Sequence, residues 1–173
     1  MEKTSGNNLF PIGLILIAAF SRLIPHWPNF TAVGAMALFA GSVMGFQLRS
    51  VLIPVLALLI TDLIFGFHST MIAVYGATVA SILLGAWLLQ KRTVKRTVLM
   101  RLLGSAIFFI STNFAVWAID GMYSKDMNGL LQAYTMALPF LLNQVAGDLF
   151  FVAVLFGGHA LVQKRVPAYE TKL

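Results

Sequence analysis

Chemistry in this sequence rests on a small set of polar residues placed within or beside long apolar runs. Arg22, Asp62, Tyr75, Asn113, Asn143, Gln144 and Asp148 lie inside such runs. Around them, short connecting segments offer His26, Trp27 and Asn29, then His68, Ser69 and Thr70, then Asp120, Tyr123, Asp126 and Asn128. These residue types suit non-covalent recognition of a small solute, with aromatic surface and a few placed donors and acceptors. Covalent chemistry has weaker support. The chain has no cysteine, which removes thiolate nucleophiles and thiolate metal sites. His68 and Ser69 are adjacent, but nucleophilic catalysis needs a base set on the nucleophile and a third orienting group. No phosphate-cradling Gly-x-x-x-x-Gly-Lys-Ser/Thr occurs in the sequence, so nothing in it suggests nucleotide hydrolysis.

The elements that must position these groups are apolar helices. Hydrophobic residues make up 59% of the 173 and charged residues 10%, against roughly 25% charged in soluble domains. With a mean hydropathy of +0.86 the bilayer is the expected solvent. A spanning helix needs roughly 17–25 mostly apolar residues. The runs predict an all-α integral membrane protein, a single domain with six spans at about 9–24, 30–46, 51–65, 71–89, 98–119 and 135–162. The last run begins somewhere between Leu130 and Leu138, after a polar loop from Asp120 to Asn128. Lys3, Arg49, the cluster Lys91, Arg92, Lys95 and Arg96, and the tail with Lys164, Arg165 and Lys172 fall at alternate ends of these runs. The intervening connections carry only Lys125 and, at the edge of the first run, Arg22. The excess of positive charge on one side places both termini and the basic cluster in the cytoplasm. The net charge of +6 is thus a topology signal, and no nucleic-acid face is expected.

Depth is the informative property of the polar residues. Arg22 and Asp62 each lie one turn inside the outer end of their run, as does Tyr75, with Asn113 about two turns in and Asn143 close behind. Ionisable groups at membrane depth cost about 3 to more than 10 kcal/mol unless partnered. Arg22 and Asp62 are therefore expected to form a structural ion pair. The outer concentration of polar groups predicts a cavity open to the outside, because residues serving only to glue helices together would be spread through the bundle. The inner halves of the runs read as nearly bare of such groups, with Asp148 the deepest carboxylate. Gly34, Ala37, Gly41 and Gly45 form a small-residue stripe, suited to an internal helix contact or to docking of a second protein.

Two segments carry a family resemblance: Arg22-Leu-Ile-Pro-His-Trp-Pro-Asn-Phe-Thr-Ala-Val-Gly-Ala-Met-Ala-Leu-Phe-Ala-Gly41, and Asp62-Leu-Ile-Phe-Gly-Phe-His-Ser-Thr-Met-Ile-Ala-Val-Tyr75. With six short helices, the chain resembles the substrate-binding S components of energy-coupling-factor vitamin transporters, and within them the solitary BtuM-type components for cobalamin. The resemblance implies a multi-pass protein of the bacterial inner membrane with its ligand pocket facing outward. It implies His26, Asp62 and Tyr75 as binding-site positions and Asn143 as a polar contact. Those family members ligate cobalt through a cysteine near the position of Thr70, and this chain has none. An Ala-x-x-x-Ala docking motif in the first helix is replaced by Ala18, Ala19 and Ser21. That leaves open either a shared coupling module or a solitary mode.

The expectation is a binding and uptake protein for a vitamin-sized solute, with cobalamin or another corrinoid the leading candidate. Its partners would be the bilayer, the solute and an optional coupling module. No intrinsic cofactor is implied. The ligand-binding set is His26, Trp27, Asn29, Asp62, His68, Thr70, Tyr75, Asn113 and Asn143, with His26 or His68 the available imidazole for a corrinoid cobalt. The alternatives are an intramembrane enzyme for a lipid-like substrate, built on Asp62, His68 and Ser69, and a structural membrane subunit. A nickel or cobalt carrier would need more converging ligands than these two histidines.

Overall fold

The structure, a computed structural model, describes residues 9–88 and 91–165. Leu89, Lys3 and Lys172, which entered the span and charge arguments, lie outside them. The described residues are all-helical: α1 (Leu9–Phe20), continued by a 3-10 turn (Ser21–Leu23), then α2 (Val33–Met44), α3 (Leu48–Phe65), α4 (Met71–Leu88), α5 (Val94–Ile119), α6 (Met127–Met136) and α7 (Leu138–Arg165). Among the described residues, four helical stretches are long and apolar enough to cross a membrane: Leu48–Phe65, Met71–Leu88, Val94–Ile119 and Leu138–Gln163. The shorter apolar stretches are Leu9–Leu23 and Val33–Met44. Side chains such as Ile17, Leu63, Ile64, Ile72, Leu142 and Phe150 are exposed on the bundle surface, an arrangement that a lipid solvent explains and water does not. The chain is a helical membrane protein.

Helix ends follow from local chemistry. Pro25 and Pro28 stop the first helical run, and Asn29 adopts a positive φ of 61° in the turn that follows. Helix α2 therefore begins only at Val33. It ends at Gly45, whose φ of 72° suits a residue without a Cβ. Gln47 and Ser50 form a reciprocal cap on α3. The Thr93 hydroxyl accepts from the Arg96 N–H to start α5, and the Asp126 carboxylate accepts from the Gly129 N–H at 2.8 Å to start α6. A separate α6 thus occupies part of the stretch between the polar loop and the last helix. The break falls at Ala137, and Pro139, which has no N–H to give, fits the first turn of α7, where no intrahelical acceptor is required.

Helix α2 is the centre of the bundle. Ala35, Met36, Ala37, Leu38, Phe39 and Ala40 are all fully buried, and α1, α3, α4, α5 and α7 pack around it. Its twelve residues rise roughly 18 Å, short of a bilayer's hydrocarbon thickness. A helix enclosed by other helices does not have to match that thickness. Glycines set its approach to α4. A Cβ on Gly41 would lie 1.9 Å from the Ile82 carbonyl oxygen, and a Cβ on Gly85 would lie 2.0 Å from the Leu38 carbonyl oxygen. The two backbones thus touch through reciprocal glycines, the close packing that apolar helices use when no hydrophobic effect drives them together. This resolves the small-residue stripe: Gly41 and Ala37 are committed to internal contacts, and Gly34 packs against Arg101. The middle of the stripe is thus an internal helix contact, and Gly45 caps the end of α2.

The connections 24–32, 66–70 and 120–126 gather at one end of the bundle, called here the histidine end after His26 and His68. The Ser69 hydroxyl donates to Asp120 across two of them. At the opposite, basic end, Arg92 donates to the Ser42 carbonyl at 2.6 Å and Arg96 to the Trp87 carbonyl at 3.1 Å.

The α2–α4 contact makes a sharp prediction. Gly41→Ala is expected to lower stability by about 1–3 kcal/mol or more, because backbone cannot yield as a side chain can. Gly76→Ala, whose Cβ would meet nothing within 4 Å, is expected to be neutral or stabilising by about 0.5–1 kcal/mol. Thermal unfolding of the two purified variants in detergent measures the contrast.

Candidate functional site

Between α2, α4, α5 and α7 lies a cavity of about 360 Å³ that reaches the histidine end. Asn29, Thr31, His68 and Thr70 from the connections stand at its mouth. Its wall on α5 runs from Val116 past Asn113, Thr112, Phe109 and Phe108 to Arg101, roughly 22 Å of helix. Val74, Ala77, Thr78 and Ser81 face it from α4, and Phe140, Gln144 and Asp148 from α7. The upper walls are mainly apolar and aromatic, and the polar groups collect at the mouth and the floor.

Near the mouth, Arg22 Nη1 lies 3.0 Å from Asp62 Oδ1 and donates to the Thr61 hydroxyl at 2.6 Å. Tyr75 donates its hydroxyl to Asp62 Oδ2 at 2.8 Å, so the buried carboxylate is held from two sides. The Arg22 guanidinium also stands 5.8 Å over the Phe65 ring. Arg22 lines the cavity, whereas Asp62 and Tyr75 stand behind it and do not.

The floor is a second ion pair. Arg101 Nε lies 3.2 Å from Asp148 Oδ2, with the two side chains only 1% and 3% exposed. The Ser105 hydroxyl donates to Asp148 at 2.8 Å, and Arg101 Nη1 reaches the Ser81 hydroxyl at 3.3 Å. Room for this large side chain comes from missing ones. A Cβ on Gly34 would lie 2.4 Å from Arg101 Nη1, and one on Gly104 would lie 3.0 Å from Nη2. The deeper part of the bundle is therefore not bare of polar groups, which corrects the reading of the sequence. In the sequence Arg101, five residues after Arg96, reads as a continuation of the basic cluster. The available signal was its place inside the apolar run of α5, where an arginine without a partner is costly.

Among the candidate residues, the structure brings Asn29, His68, Thr70 and Asn113 together around the cavity, with Arg22. Asn113 gives its amide N–H to the Phe109 carbonyl of its own helix at 2.8 Å, leaving its oxygen free of that bond. His26 lies instead in a shallower groove with Leu23, Ile24, Pro25 and Phe65, its Nδ1 2.9 Å from the Trp27 carbonyl oxygen. Arg22, Asn29 and Thr31 border both spaces. Trp27 is 72% exposed and packs edge-on to Phe30, lining neither. Asn143 donates to the Pro28 carbonyl at 3.1 Å and so ties the first connection to α7. His68 Nδ1 is 2.9 Å from the Thr70 hydroxyl, while the Ser69 hydroxyl turns to Asp120. The neighbouring His68 and Ser69 are thus engaged with different partners. No group of three or more His, Cys, Asp or Glu suited to holding a metal occurs among the described residues.

A family model, DUF6580, described as a family of unknown function, matches residues 2–169. No curated protein and no solved structure matches the chain.

Pairing at the cavity floor has a measurable signature. Arg101→Gln leaves Asp148 buried without its counter-charge and is expected to cost about 3–5 kcal/mol. The double variant Arg101→Gln/Asp148→Asn removes both charges and is expected to recover most of that loss. A double-mutant cycle on thermal or denaturant unfolding reads the coupling.

Proposed function

The chain belongs to the DUF6580 family, and we propose that it is a membrane binding and uptake protein for a vitamin-sized solute. The observation that carries the reading is the cavity itself. It is enclosed on its sides, reaches one end of the bundle, and combines aromatic walls with a few polar groups, the usual constitution of a small-molecule site. The proposed topology has six crossings, with the short α1 and α2 counted among them and the basic end in the cytoplasm of a bacterial cell. The arginines and lysines at 49 and 91–96 support that orientation. In it the cavity mouth faces outward, as in the S components of energy-coupling-factor transporters. With no nucleotide-binding motif in this sequence, the protein either works alone or draws on a coupling module.

Size bears on the solute. About 360 Å³ is near the lower end of the range for small-molecule pockets. It favours a compact heterocycle or aromatic solute over a complete corrinoid, which would require the three connections to move apart. An intramembrane enzyme draws no support from the separate partners of His68 and Ser69.

Mass spectrometry of small molecules released from the detergent-purified protein tests the proposal. A stoichiometric solute is expected, and it should be lost when the cavity is filled by Ala77→Phe in a variant that still purifies and unfolds cooperatively. Recovery of a corrinoid would restore the larger ligand. The absence of any solute, together with no uptake of labelled vitamins by cells overproducing the protein, would contradict the reading.

A further inference from the structure

We propose that the solute carries a carboxylate, and that this group docks on the Nη edge of Arg101 at the cavity floor. The inference deepens the uptake reading and rests on it. Arg101 is enclosed to 1% exposure, yet it lines the cavity. Its guanidinium presents five N–H donors in a planar fork. Asp148 and the Ser105 hydroxyl lie at the Nε side, 3.2 and 3.5 Å away. Nη1 has one long contact with protein, to Ser81 at 3.3 Å, and Nη2 has no acceptor among the described residues. The fully enclosed side-chain polar atom without a partner among those residues is Ser42 Oγ, so Nη2 is not sealed off. Arg101 lines the cavity, and Nη2 is its guanidinium nitrogen with no hydrogen-bond acceptor among the described residues.

A buried guanidinium with an unused edge calls for an acceptor with matching geometry, and a carboxylate meets two parallel N–H groups. Charge leaves the choice to geometry: Arg22 and Arg101 line the cavity and each has one carboxylate partner, Asp62 behind the lining and Asp148 within it. The unoccupied donors of Arg101 are therefore what recommends an anionic acceptor. Above the floor, Phe108, Phe109, Phe140 and Val74 offer an apolar sleeve for the rest of the molecule. The ligand class that fits is a small aromatic or heteroaromatic carboxylic acid, entering carboxylate first.

The test compares acids with their neutral isosteres on the full-length protein in detergent. Binding of benzoate and phenylacetate, and of benzamide and phenylacetamide, is measured by equilibrium dialysis. The acids are expected to bind about tenfold or more tighter than the amides, the difference a charge-assisted bidentate contact supplies. In Arg101→Gln/Asp148→Asn that preference is expected to fall to about one. Should the double variant not fold, Arg101→Lys keeps the charge without the fork and is expected to lower the preference severalfold. Equal binding of acids and amides, or a preference unchanged in these variants, overturns the carboxylate inference and leaves the uptake reading standing. If neither class binds, the inference fails. The uptake reading then fails with it only where no solute co-purifies.

Discussion

A charge inside an apolar bundle must have a counter-charge, and the arrangement around Arg101 and Asp148 follows from that requirement. Removing both ions from water is expensive, and their attraction offsets the loss only when geometry is good and the remaining donors and acceptors are occupied. Ser105 and Ser81 supply hydrogen bonds from α5 and α4. Gly34 and Gly104 supply the space. Three helices are thereby keyed to one side chain on α5, and a floor is fixed beneath the cavity.

The same constraint acts again near the mouth. Arg22 follows α1 in the 3-10 turn, Asp62 is on α3 and Tyr75 on α4, and their contacts of 3.0 and 2.8 Å join three elements at the histidine end. Beyond the floor, towards the basic end, the reciprocal glycines hold α2 against α4. The central helix can then be short and wholly enclosed, while α5 and α7, longer and more exposed, carry much of the lipid-facing surface. The cavity is the space these commitments leave: two ion pairs mark its ends, and the α2–α4 contact closes the bundle beyond its floor.

Composition and run length were enough to read a helical membrane protein, because almost no polar surface is available for water. Turning points were legible at Pro25, Pro28 and Gly66, whereas Gly45, which ends α2, reads in the sequence as part of the small-residue stripe inside the second span. The separate α6 was harder to see, since its ten residues continue an apolar run and only Pro139 marks the break. Polar residues in apolar runs announce themselves singly, but their partners do not. Asn143 looks like a site residue in the sequence, whereas in the fold it secures the Pro28 carbonyl. Arg101 looks like part of a basic cluster, and only its rotation on α5 towards Asp148 distinguishes it. Sequence distance hides such pairs, because 47 positions separate residues that tertiary packing brings together.

The central claim is a cavity open at the histidine end and continuous down to the Arg101–Asp148 floor. The absence of native cysteine allows a direct test. Single cysteines placed at Thr112, on the cavity wall, and at Leu99, on the lipid-facing side of α5, can be challenged in intact cells with a membrane-impermeant charged thiosulfonate. The account predicts rapid modification of Thr112→Cys from outside the cell and none of Leu99→Cys. Protection of Thr112→Cys in intact cells, or its modification only when the cytoplasmic face is exposed, would contradict it.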